Sequence, residues 1–179
     1  MIEIVLLITS VLLILACGVF VAAEFSLIAA NRTTVERLAA RGDSRAKGVL
    51  KALTTLSTQL SSAQVGITIT NLLIGFLAEP AISAIIRPWL QALAIPEAVV
   101  TTLAVLIGLL LATALTMVFG ELVPKNIAIA KPIATAKRVQ GPLLFFTSAM
   151  RWPIRLLNSS ANVFLRKIGI EPQEELASA

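Results

Sequence analysis

The sequence predicts an all-α membrane protein: three transmembrane helices plus amphipathic juxtamembrane helices. Three observations point there. Hydrophobic residues make up 57% of the 179-residue chain and charged residues only 14%, so mean hydropathy is strongly positive, outside the range of water-soluble domains. Three uncharged stretches are each long enough to cross a hydrocarbon layer of about 30 Å as a helix. Lysine and arginine gather at the ends of these stretches. The net charge of +5 therefore suits phospholipid headgroups and not nucleic acid, because the basic residues flank apolar spans and the chain has no tyrosine. Cys17 is the sole cysteine and histidine is absent. Those two facts exclude an intrachain disulfide, thiolate clusters, His-ligated zinc and His-dependent triads. With no Ser–Lys pair at matched depth either, an enzyme is not expected.

Span one is the stretch from Ile4 to Ala23, between Glu3 and Glu24. Leu15-Ala16-Cys17-Gly18 has some likeness to a lipoprotein cleavage box, but Met1-Ile2-Glu3 lacks the positive segment a signal peptide carries. The expectation is a retained helix. Span two, uncharged from Ala52 to Ala78, carries Ser61, Ser62, Gln64, Thr68, Thr70 and Asn71 among other polar side chains. Lipid cannot satisfy these, so they should face other helices or a wet cavity, with Pro80 and Pro88 breaking or tilting the outer end. Ala63, Gly66 and Thr70 allow close approach of another helix, and a symmetric dimer is one way to use them. Span three, Ala98 to Gly120, ends in Phe119-Gly120-Glu121-Leu122-Val123-Pro124-Lys125.

With boundary residues the spans are expected at about 4–30, 55–86 and 97–124, in a core covering 1–130. The apolar patch between Arg138 and Arg151 is too short to cross and contains Pro142. Flanked by Lys131, Lys137, Arg138, Arg155, Arg166 and Lys167, with Phe145, Phe146 and Trp152 as anchors, residues 131–168 read as juxtamembrane interfacial helices. Arg32, Arg37, Arg41, Arg45, Lys47 and Lys51 follow span one, whereas Arg87 is the basic residue between spans two and three. The positive-inside rule then places the first loop in the cytoplasm, the N-terminus outside and the C-terminus inside, in a plasma (inner) membrane.

Counting rise along the helices brings oxygen-bearing side chains to one inner level: Glu24 and Ser26 from span one, Ser62 and neighbours from span two with Asn71 nearer the middle, and Gly120 and Glu121 from span three. A carboxylate at membrane depth is costly and marks a cation or proton site. Pro124 cannot donate to the carbonyl of Gly120, which leaves that oxygen for an ion. Oxygen donors with one or two carboxylates suit Mg²⁺, Na⁺ or Ca²⁺. Bland alternatives exist: the hydroxyls can bond their own backbone, Glu24 can pair with Arg32, Glu79 can be solvated, and Glu121 can pair with Lys125.

Three motifs in order resemble the transmembrane domain of the cyclin-M (CNNM)/CorC proteins, also called hemolysin-like: Ala22-Ala23-Glu24-Phe25-Ser26-Leu27, Leu60-Ser61-Ser62-Ala63-Gln64-Val65-Gly66-Ile67-Thr68, and Phe119 to Lys125. The resemblance covers nearly the whole chain. It implies a homodimer with three spans per subunit, a juxtamembrane belt, and a cytoplasmic pair of nucleotide-binding CBS modules. Residues 169–179, with Glu171-Pro172-Gln173-Glu174-Glu175, resemble the linker into such modules, so a longer protein is expected and nucleotide would bind only there. The family's ion site maps onto Asn71, the Gly120 carbonyl and Glu121, with Ser62 and Ser26 as further candidates. The span-one serine of the magnesium-transporting branch is replaced here, where Val21, Ala22 and Ala23 precede Glu24, as in the hemolysin-like branch. The resemblance implies a divalent-cation (Mg²⁺) transporter with Na⁺ as candidate counter-ion. The competing expectation is a non-transporting dimeric anchor for CBS modules.

Overall fold

A computed structural model describes residues 2–93 and 96–169, and among these every regular element is a helix. The helices are α1 (Ile2–Ala29), α2 (Arg32–Ala40), α3 (Ser44–Thr54), α4 (Leu56–Gln91), α5 (Glu97–Leu115), α6 (Val123–Ala130), α7 (Pro132–Ala149) and α8 (Arg151–Lys167). Seven residues of π-helix, Thr116–Leu122, join α5 to α6 without a stop. Three helices are long and apolar enough to cross a membrane: Ile2–Ala29, Leu56–Gln91 and Glu97–Ala130. A helix satisfies its own backbone polar groups, which is why such apolar runs take this form in lipid. Of the linker expected at 169–179, residues 170–179 lie outside the described residues.

The prolines do not interrupt these helices. Pro80 and Pro88 both sit inside α4, which runs unbroken for 36 residues. Pro124 likewise lies within a helix that continues to Ala130. Each proline removes one amide donor, but neighbouring turns remain hydrogen-bonded, so the cost is local.

The chain forms two compact units, Met1–Gly18 with Ile67–Pro124, and Val19–Gly66 with Lys125–Ala179. In the first, α5 buries Val100, Ala104, Gly108 and Ala112, and the π-helical segment adds Thr116 and Gly120. This four-residue stripe is made mostly of small side chains, which lets backbones approach. At Gly108 the approach is closest, since a Cβ there would lie 2.7 Å from the Ser83 hydroxyl and 3.1 Å from the Glu79 carbonyl. Ser83 Oγ is 2.7 Å from Glu79 Oε1 and 2.9 Å from the Ala104 carbonyl, so Glu79 is half-buried and engaged with a hydroxyl. Arg87 pairs with Glu97 at the α4–α5 connection. Large apolar side chains such as Leu72, Phe76 and Leu110 remain exposed, as a lipid-facing surface requires.

The second unit has a conventional core. Ala23, Leu27, Val35, Val49, Ala52, Ala63, Ala136 and Leu143 are buried together. The basic loop expected after span one is two helices here. Asn31 caps α2 by accepting from the Thr34 amide, and Asp43 caps α3 by accepting from the Arg45 and Ala46 amides. Gly42, at φ 92°, makes the left-handed turn between them. Asp43 also takes the Lys137 ammonium of α7, and this hydrogen bond, ahead of the capping amides, holds its carboxyl below the ordinary range.

Candidate cation site in the membrane

Asn71 and Glu121 are 50 residues apart in sequence, yet Asn71 Nδ2 donates to Glu121 Oε1 at 3.1 Å. On its other side Asn71 Oδ1 accepts from the Cys17 thiol at 3.3 Å. The result is a three-helix relay, Cys17 to Asn71 to Glu121. A carboxylate only accepts, so it must face the amide's NH₂, and the carbonyl end is then left for the thiol. Both Asn71 and Glu121 are half-buried.

These two residues line a cavity of about 210 Å³ together with Ile74, Leu109, Thr113, Thr116 and Met117 among others. Its polar lining is Asn71, Glu121 and the two threonines; the remainder is apolar. The space holds several waters, so a hydrated ion fits beside the carboxylate. Thr116 is buried and its hydroxyl donates to the Ala112 carbonyl at 2.8 Å, which leaves its lone pairs as acceptors.

Gly120 is buried against α1, where a Cβ would come within 3.6 Å of the Ile14 carbonyl and 3.7 Å of Cys17 Cβ. The Val123 amide bonds to the Val118 carbonyl, five residues back. Pro124 has no amide, so the carbonyl of Phe119 has neither its α-helical donor, Val123, nor its π-helical one, Pro124. Pro124 equally removes the α-helical donor of the Gly120 carbonyl. The Phe119 carbonyl lies 3.5 Å from where a Cβ of Gly18 would stand.

The serines are occupied differently. Ser26 is buried and donates to the Ala23 carbonyl of its own helix at 3.2 Å, and α1 continues without a break through Ala29, so the distortion that would turn its hydroxyl is not present. Ser62 is buried with its hydroxyl 2.7 Å from Thr147, which is also 3.0 Å from Gln59 Oε1. Both belong to the second unit, and their hydroxyls are engaged there. Arg32, a possible partner for Glu24, pairs with Glu36 at 2.9 Å, and the Lys125 ammonium sits 4.5 Å over the Phe25 ring. Sequence reasoning missed Cys17 as a site neighbour. Its signal was periodicity, because Cys17 precedes Glu24 by two turns and shares the buried face of Ser10, Ile14 and Val21.

The chain is 47% identical over 162 residues to UPF0053 protein MT1890 of Mycobacterium tuberculosis, a match covering 90% of this chain and 36% of that protein. It is 33% identical over 163 residues to UPF0053 protein YhdT of Bacillus subtilis, covering 91% and 35%. To UPF0053 protein sll0260 of Synechocystis it is 32% identical over 165 residues, covering 90% and 36%. The chain thus spans about a third of the length of the curated relatives it matches. The family profile of the cyclin M transmembrane N-terminal domain matches residues 8–178. A three-span helical chain with that match along nearly its whole length belongs to the CNNM transmembrane domain family.

Proposed function

We propose that this domain carries a hard divalent cation, Mg²⁺, across the membrane, with Na⁺ as counter-ion. The contact between Asn71 and Glu121 in the polar lining of a cavity within spanning helices carries the reading. A half-buried carboxylate in an apolar span is expensive unless its charge is used. Glu121 supplies the charge, and the Asn71 amide supplies either NH₂ to the carboxylate or, turned about its side-chain bond, a carbonyl oxygen to the ion. Mg²⁺ sheds water reluctantly, so this small donor set binds it with most of its hydration shell in place. The domain works as a homodimer in a plasma (inner) membrane, with cytoplasmic CBS modules responding to nucleotide.

A second reading is a non-transporting dimeric anchor. It is favoured by Val21, Ala22 and Ala23, which offer no side-chain oxygen, and by the engaged hydroxyls of Ser26 and Ser62. Mg²⁺ flux into proteoliposomes separates the two. Glu121→Gln keeps the shape and the Asn71 contact but removes the charge, and is expected to cut flux more than about tenfold. Equal, background flux in both proteins would establish the anchor.

A further inference from the structure

Helix α8 presents an arrangement that cation passage does not use. We infer that α8 is a binding site for anionic phospholipid headgroups, with its apolar side seated in the acyl boundary. Arg151 and Arg155 lie about 40° apart around the helix, and Arg166 falls about 20° further on, so the three share one narrow face over four turns. The helix, Arg151–Lys167, contains no acidic residue. Among the described residues neither Arg151 nor Arg155 has a carboxylate within 4.0 Å. The Arg151 and Arg155 guanidinium groups, one turn apart, match neighbouring phosphates, each of which takes two parallel N–H bonds.

The apolar side points to the same occupant. Ile154 is the one buried residue of α8 and marks the line packed against the protein. Trp152, Leu156 and Val163 lie about 160–180° around the helix from it, Leu157 and Phe164 about 60–80°, and Trp152 and Phe164 are 77% and 65% exposed. A face with aromatic and aliphatic side chains on one flank and arginines on the other is the form of a helix lying in a bilayer surface. The arginine stems can run along the apolar side while their heads reach phosphate. The chain is itself membrane-spanning, so the surface is always at hand. Neutral headgroups would satisfy the apolar flank alone; Arg151 and Arg155 select phosphatidylglycerol or another anionic lipid.

The chain has two tryptophans, Trp89 and Trp152. In a Trp89→Phe background, Trp152 fluorescence is measured in bilayers of phosphatidylcholine and phosphatidylglycerol, with bromine on the acyl chains of one lipid or the other. The expected result is quenching by both, with the brominated anionic lipid favoured about fivefold over its mole fraction and the preference falling with salt. Arg151→Gln/Arg155→Gln should bring the preference to about one while quenching persists. The charge-matched control Arg41→Gln/Arg45→Gln should leave it unchanged. Three results would overturn the inference: quenching by neither lipid, which means that protein covers this face; quenching in proportion to mole fraction in the parent; or equal loss of preference in the control.

Discussion

At Gly66 a single methyl group decides how two helices meet. A Cβ there would lie 2.7 Å from three carbons of the Phe20 ring, and that ring is packed edge-on against Phe146 with centroids 4.7 Å apart. A rigid aromatic held by a second aromatic cannot yield cheaply. Gly66→Ala is therefore expected to cost about 1–3 kcal/mol despite the better helix propensity of alanine. Gly75, with nothing within 4 Å of its Cβ position, should accept the same change without loss. Thermal unfolding of both variants in one detergent checks the contrast, and equal melting temperatures would refute it. Gly66 was legible in the sequence as a small residue on a packing face. Its partner was not, because a span-two glycine says nothing about which span-one side chain will turn toward it.

Among the helices, α3 and α7 illustrate how a charge joins two elements. Asp43 caps α3 and binds Lys137 of α7, which holds its carboxyl low. Its native pKa lies below the unfolded value of about 3.9, so the stabilisation is complete above that value and is lost as pH falls through the depressed native pKa. Asp43→Asn keeps the capping oxygen and removes the charge. The melting-temperature gap between wild type and Asp43→Asn is expected to be constant near neutrality and to close in acid. A gap that persists at pH values where both forms are neutral would show that the charge is irrelevant. The two caps, Asn31 and Asp43, were readable in the sequence, yet the basic run between spans looked like loop because its charges masked two short amphipathic helices. The π-helical segment was not readable. Proline at 124 announced the donor missing at Gly120, but that the Phe119 carbonyl also loses a partner there depends on the π register of the preceding turn.

For the whole chain, the distribution of basic residues makes an orientation testable. The stretch between α1 and α4 carries six Lys or Arg, and the α4–α5 connection is expected outside. In a Cys17→Ser background, Ala92→Cys should react with an impermeant thiol reagent in intact cells, whereas Arg41→Cys should react only after permeabilisation. The reverse pattern would invert the proposed topology and the direction of any transport. Both positions are exposed, so access to the reagent is limited by the membrane and not by the fold.

The amino-acid order alone determined that this chain is helical and spans a membrane, because apolar runs in lipid have no other way to pair their backbone amides. It also determined the position of each oxygen along its own helix, since rise per residue is a constant of the helix. Rotation about each helix axis was decided only by tertiary packing. That rotation turns Asn71 toward Glu121 and Cys17, engages Ser62 with Thr147, and leaves Ser26 on its own backbone. Position along the axis is a local property that one helix sets for itself, whereas facing is a property of pairs of helices, settled by which small residues let which backbones come close.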